Sequence, residues 1–301
     1  MEYFTLNNGI KIPCIGNGPC AVGYGKKRRV PNNNILSKAY RKLFQEKYQE
    51  YKYVNAVTNS LKCGFHLLDY SASYGDGHLI GKAIKHSGIK REELFLTTRI
   101  TNKDQVNGTI RETFFKQLEG FNTNYMDLLM LHWPVTGYYE EAWKEIVKLY
   151  KEGYCKAVGV ANCHQHHIDK LLSTSDVIPA VNQIEVHPLF TQKELINFCK
   201  SKNITVEAYT AIARFDDRLM RLPLLKKIAN KYNKTIVQIV LRWHIQNGVI
   251  PLVRSLNPQR QLENISIFDF QLTSQEISEI DSININSRLR FDPDNCDFSI
   301  L

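Results

Sequence analysis

Residues 126–161, "MDLLMLHWPVTGYYEEAWKEIVKLYKEGYCKAVGVA", decide the fold. "MDLLMLH" (126–132) is a short, nearly unbroken apolar run, as a strand buried on both faces should be. "YEEAWKEIVKLYKEG" (139–153) places Ala142, Ile146, Leu149 and Tyr150 on one face of a helix and stops at Gly153. "KAVGVA" (156–161) is a second strand of the same kind. A strand, an amphipathic helix and a strand in succession make a unit whose two strands run parallel.

Outward from this unit the alternation continues. Strand candidates are "IPCIGNG" (12–18), "HLLDYSA" (66–72), "LFLTTRI" (94–100), "AVNQIE" (180–185), "ITVEAYT" (204–210) and "VIPLVR" (249–254). "TQKELINFCKSKN" (191–203) opens with a Thr-x-x-Glu capping box. "YFTLNNGIKI" (3–12) reads as a β-hairpin with a two-residue Asn-Gly turn. With the two strands of the opening unit this makes eight, so the α/β class narrows to a (β/α)8 TIM barrel over 1–301 as one domain. It carries an N-terminal hairpin and an enlarged first βα connection at about 19–62, basic and Tyr-rich. A doubly wound sheet is the competing architecture, and it leaves the evenness of the alternation to chance.

At 43% hydrophobic and 23% charged, the composition is that of an ordinary globular chain. No apolar run reaches membrane-spanning length, and "MEYFTLNNGIKIP" lacks the basic and apolar regions of a secretory signal. Seven scattered cysteines without a CxxC pair read as reduced thiols of a cytoplasmic protein. The net charge of +9 raises nucleic acid as a partner, and the densest basic run is Lys26-Lys27-Arg28-Arg29. No nucleic-acid-binding motif accompanies it, so a solvated face or an anionic small ligand accounts better for the charge.

A parallel barrel gathers its active site at the C-terminal ends of its strands. Polar groups lie at those ends here: Asp69 and the following Tyr74, Arg99, His132, Asn162, Asn182 with Gln183 and Glu185, Tyr209, and Arg254 with Ser255. The residues at this point resemble the aldo-keto reductase family along nearly the whole chain. "GFHLLDYSASYG" (64–75) is similar to the family segment with the catalytic Asp and Tyr, and "MDLLMLHWP" (126–134) to the strand ending in the catalytic His. "AVNQIEVHPLF" (180–190), "VIPLVRSLNPQRQLENI" (249–265) and the tail "DPDNCDF" (292–298) resemble further family segments in the same order.

The resemblance implies NADPH-dependent reduction of a small aldehyde or ketone without a metal. Its catalytic tetrad maps onto Asp69, Tyr74, Arg99 and His132. Tyr74 would be the general acid, and a phenol titrating near ~10 needs help to act at neutral pH. The family supplies that help with a lysine, and here Arg99 holds its place. Arginine keeps the charge, can form a bidentate pair with Asp69 and cannot release a proton. A slowed or re-tuned reductase is therefore expected. A catalytically impaired barrel that binds the cofactor or a partner is the alternative. For the cofactor, the resemblance gives Asn162 and Gln183 to the nicotinamide amide and Tyr209 to its ring. It gives Arg254, Ser255, Arg260 and Asn264 to the adenosine 2′-phosphate and adenine, and two arginines near a helix start suit an anion. Ala161 stands where the family often has serine beside the nicotinamide amide; Pro19, Cys20, Gly77 and Thr101 depart from the family's usual pocket residues and suggest a wider or more polar pocket, one suited to a sugar-like carbonyl.

Two other signals are discounted. "GDGHLIG" (75–81) nearly spells a dinucleotide fingerprint, with its last glycine displaced by one position. "NCHQHHIDKLL" (162–172) groups Cys163, His164, His166 and His167, yet no carboxylate completes a metal set nearby, so it reads as the polar first turn of a helix. His187 and His244 have no partner that the sequence identifies.

Overall fold

The computed structural model describes residues 2–18, 46–74 and 77–298. Its centre is a closed parallel barrel of eight strands: β3 (Gly16–Asn17), β4 (Leu67–Asp69), β5 (Phe95–Ile100), β6 (Met126–Leu131), β7 (Cys155–Ala161), β8 (Val181–Glu185), β9 (Thr205–Tyr209) and β10 (Val249–Val253). β10 pairs with both β9 and β3, which closes the ring and leaves no sheet edge. The expected (β/α)8 architecture is the one observed.

The first strand differs from its expected bounds. Within 12–18, Ile12 and Pro13 belong to β2 (Lys11–Pro13), which pairs antiparallel with β1 (Tyr3–Thr5), and only Gly16–Asn17 joins the barrel. Gly16 is confined there, since a Cβ would stand 2.6 Å from a Leu252 methyl. The hairpin turn spans Asn7, Asn8 and Gly9 instead of two residues, with Leu6 N–H donating to Ile10 O at 2.8 Å and Gly9 at φ +85°. Leu6 and Ile12 then cap an inner layer formed by Leu67, Phe95, Leu128, Met130, Ala157, Val181 and Ile250. Asn7 and Asn8 fasten this plug by donating to the carbonyls of Pro179 (3.1 Å) and Lys156 (2.9 Å).

The enlarged first connection also resolves differently. Residues 46–62 are a barrel helix, Glu46–Lys62, whose Tyr53, Val54, Val57 and Leu61 are buried. The remainder, 19–45, lies outside the described residues and includes Pro19, Cys20 and the basic run at 26–29. The helix at 139–153 forms as Tyr139–Lys151 with Ala142, Ile146 and Leu149 buried. The capping box at Thr191 does not form: the helix is Lys193–Ser201, preceded by Gln192 in the left-handed region without a side-chain cap, and Thr191 N–H donates to Asn284 Oδ1. Gly81, the displaced glycine of the near-fingerprint, serves packing. A Cβ at Gly81 would stand 2.6 Å from Gly120 O, so the helices Gly77–Ser87 and Ile110–Phe121 touch backbone to backbone. Among the described residues no helix is long and apolar enough to cross a membrane, and the cysteines there are free thiols.

Candidate active site

Side chains alternate along a strand, so the residues sharing the inward parity of Leu67, Phe95, Leu128 and Val181 also face the barrel axis. Two residues further along each strand this parity yields Asp69, Thr97, Met130 and Gln183, and Arg99 and His132 stand one layer higher. Asp69, Arg99 and Gln183 are buried at the mouth end, while Tyr74 sits partly exposed on a short 3-10 turn, Ala72–Tyr74, after β4.

Arg99 organises the cluster. Its Nη2 donates to Asp69 Oδ2 at 2.9 Å and to the Tyr74 hydroxyl at 3.4 Å, and its Nη1 donates to Gln183 Oε1. The bidentate pairing with Asp69 expected for an arginine is not formed. One nitrogen spans carboxylate and phenol, and the other is taken by an amide. Gln183 turns its own Nε2 to Asp69 Oδ1 (3.0 Å) and to Glu207 Oε2 (2.7 Å).

Glu207 is the member the sequence reading missed. It lies on β9 opposite Gln183, is fully buried, and leaves its Oε1 without a hydrogen-bond partner. The signal was present: in "ITVEAYT" it precedes Tyr209 by two residues, hence shares its face, and an acid inside a buried strand requires a partner. Burial, reinforced by the Asp69 charge, pushes the Glu207 carboxyl up to about 8. Burial also raises Asp69, and Arg99 and Gln183 oppose that rise. Arg99 touches Asp69 directly and reaches Glu207 only across Gln183, so the negative charge rests on Asp69 and the proton on Glu207. Arg99 is held above its ordinary value because, although desolvation lowers it, the attraction of the Asp69 carboxylate outweighs that cost.

His132, half-buried at the end of β6, is pushed down to about 3 by desolvation and the Arg99 cation, and so is a neutral imidazole at pH 7. Beside it, Asn162 Nδ2 donates to His132 O (2.9 Å) and Asn162 Oδ1 accepts from the Tyr209 hydroxyl (2.7 Å). Asn162 takes the left-handed region, φ +61°, which turns its amide back over the mouth. Burial pushes the Tyr209 phenol well above its ordinary value. The amides of Asn162 and Gln183, expected to meet a nicotinamide, are thus both engaged by protein partners. Asn182, of opposite parity, points out of the barrel to Cys163 O (2.8 Å).

Arg254, Ser255, Arg260 and Asn264 gather at the rim after β10, apart from the tetrad. The helix Pro258–Ile265 begins there, with Asn257 Oδ1 accepting from Arg260 N–H and Pro258 at its first position. Ser255 Oγ accepts from Asn257 N–H, and Gln261 Nε2 ties the helix to Ala56 O and Ser255 O. Arg254 and Arg260 are exposed, Asn264 is buried, and among the described residues the Arg260 guanidinium has no ion pair. An unpaired guanidinium at a capped helix start suits a phosphate group.

The chain beyond 284 crosses the mouth. Glu185 accepts from Leu289 N–H (2.7 Å), Arg290 N–H (2.9 Å) and His187 Nε2 (3.0 Å), and Phe298 lies edge-on to Trp133. His187 therefore has Glu185 as its partner, and His244 has the carbonyl of Ala211 at 2.9 Å. Thr101, one of the residues expected to widen the pocket, caps the helix Asn102–Asn107 through Asp104.

Residues 41–285 match the model of the Aldo/keto reductase family. The chain belongs to this family. It is 37% identical to the "uncharacterized oxidoreductase YtbE" of Bacillus subtilis (strain 168) over 98% of this chain and 97% of that protein. It is 34% identical to the "glyoxal reductase" of the same organism over 97% and 96%. The crystal structure of a Bombyx mori aldo-keto reductase in complex with NADP superposes with a TM-score of 0.83, at 29% identity, covering 97% of this chain and 96% of that one.

Proposed function

We propose that this aldo-keto reductase reduces a small aldehyde or ketone with NADPH, with Tyr74 as general acid. One observation carries the reading: a single nitrogen of a buried guanidinium touches both the Asp69 carboxylate and the Tyr74 hydroxyl, beside a neutral His132. The rim residues Arg254, Ser255, Arg260 and Asn264 would hold the adenosine phosphate, and Asn162, Gln183 and Tyr209 would face the nicotinamide end. Bound there, NADPH supplies the hydride. Tyr74 gives its proton to the carbonyl oxygen, and the fixed cation at 3.4 Å stabilises the tyrosinate left behind. Neutral His132 has a ring N–H to direct at the same oxygen. Asp69 orients Arg99 and keeps the site near neutral overall. The similarity to a glyoxal reductase and to a structure in complex with NADP supports this reading.

Arg99 at the family's lysine position favours a second reading, a barrel that binds the cofactor without turnover. NADPH binding followed by fluorescence, with NADPH consumption in the presence of glyoxal and methylglyoxal, separates the two. The proposal expects binding and consumption, and Tyr74→Phe should lower kcat by about 10²–10⁴ while sparing cofactor binding. Undiminished consumption in Tyr74→Phe would remove Tyr74 from the mechanism, and binding without consumption would select the second reading.

A further inference from the structure

The histidine run discounted for want of a carboxylate acquires one in the fold. His164 caps the helix Gln165–Thr174, with His166 and His167 in its first turn, and the C-terminal segment brings Asp294 onto them. Asp294 Oδ2 lies 2.7 Å from His164 Nδ1, and Oδ1 lies 3.2 Å from His166 Nε2 and 3.5 Å from His167 Nε2. The ligating atoms of His164, His167 and Asp294 all fall within 4.8 Å of one another. His167 is buried, with its ring edge-on to Tyr139 at 5.7 Å, whereas Asp294 is exposed and free to adjust.

We infer that His164, His167 and Asp294 form a binding site for one divalent transition-metal ion of the zinc or nickel class, fastening the C-terminal segment to the loop after β7. Two imidazoles and a carboxylate are the donor set that borderline ions prefer over magnesium or calcium. A tetrahedral ion with bonds of about 2 Å needs its ligand atoms about 3.3 Å apart, so small rotations of the three side chains close the site. His166 stands close enough to Asp294 to serve as a further ligand.

Two contacts compete with the ion. His164 N–H donates to His167 Nδ1 at 3.1 Å, and Arg288 Nη2 lies 3.4 Å from His164 Nε2. Both place the ring protons on the nitrogens that face Asp294. Ligation moves those protons to the outer nitrogens, which releases the cap to water and turns Arg288 away. Arg288 already rests over the Phe190 ring at 4.7 Å, so it has a place to go. The competition makes the site one of moderate affinity. Because Phe298 further along the same segment meets Trp133 and receives Asn102 Nδ2 on its carbonyl, the ion would fix one wall of the mouth.

The test is calorimetric titration of the tag-free full chain with Zn2+, Ni2+ and Co2+, with the visible spectrum of the Co2+ form. The expected result is one equivalent bound with micromolar Kd and cobalt bands of a nitrogen–oxygen site. Asp294→Asn and His164→Gln should each weaken binding by about tenfold or more. Arg288→Gln should tighten it severalfold, and Cys296→Ser, in the same segment, should leave it unchanged. The inference is overturned by absence of saturable binding for all three ions, or by binding that survives both Asp294→Asn and His164→Gln. Thiolate-to-cobalt charge transfer that disappears in Cys296→Ser would overturn it equally.

Discussion

Replacing Glu207 with glutamine keeps shape and an acceptor for Gln183 Nε2 while removing the only proton that Glu207 can lose. The folded carboxyl titrates at about 8, against an ordinary value of 4.5. Between these values the folded chain still holds a proton that the unfolded chain has released. The folded state then binds more protons, so stability falls as pH rises, by about 1.4 kcal/mol per pH unit for one such group. Over the whole window the ceiling is ~5 kcal/mol, and relaxation around the ionised carboxylate reduces it to a few kcal/mol. Urea unfolding of both proteins from pH 5 to 8.5 isolates the effect, because all other groups cancel in the difference. Glu207→Gln should match the wild type near pH 5 and exceed it progressively toward pH 8.5. A difference that stays flat with pH would show that Glu207 ionises normally and refute the buried, shared-proton account.

Two further outcomes follow from the same geometry. Arg99→Lys should raise kcat for an aldehyde by about tenfold, equivalent to about 1.4 kcal/mol, because a compact ammonium no longer divides its donors with Gln183 Oε1; steady-state kinetics showing an unchanged or lower kcat would contradict the assignment of Arg99 to the lysine's role. At the opposite end of the barrel, buried Asp127 accepts from Leu96 N–H (2.9 Å) and pairs with Arg91 (2.7 Å) and Lys156 (3.0 Å). Asp127→Ala should therefore cost about 3–5 kcal/mol in denaturant unfolding with NADPH binding retained, and a loss under ~1 kcal/mol would mean that the partners find other acceptors.

The sequence by itself determined the barrel, because burial on both faces writes short apolar runs and a covering helix writes a 3.6-residue period, and both signals are local. It also determined which strands end in polar groups, while the tetrad assignment rests on the resemblance and belongs to the proposal. The bounds of β3 were not legible, since "IPCIGNG" reads as one short strand-like run and only pairing with β1 or with β10 and β4 divides it. Thr191 shows the same limit: its capping pattern is satisfied in sequence, but Asn284 claims its N–H and the helix starts two residues later, after Gln192. Tertiary structure alone decided how Arg99 spends its fork, because Asp69, Gln183 and Tyr74 come from different strands and loops and compete for it only once the ring closes. It likewise brought Asp294 to His164 across 130 residues of chain, a juxtaposition with no local signature. Local periodicity records which way a side chain faces; only closure of the barrel records what it meets there.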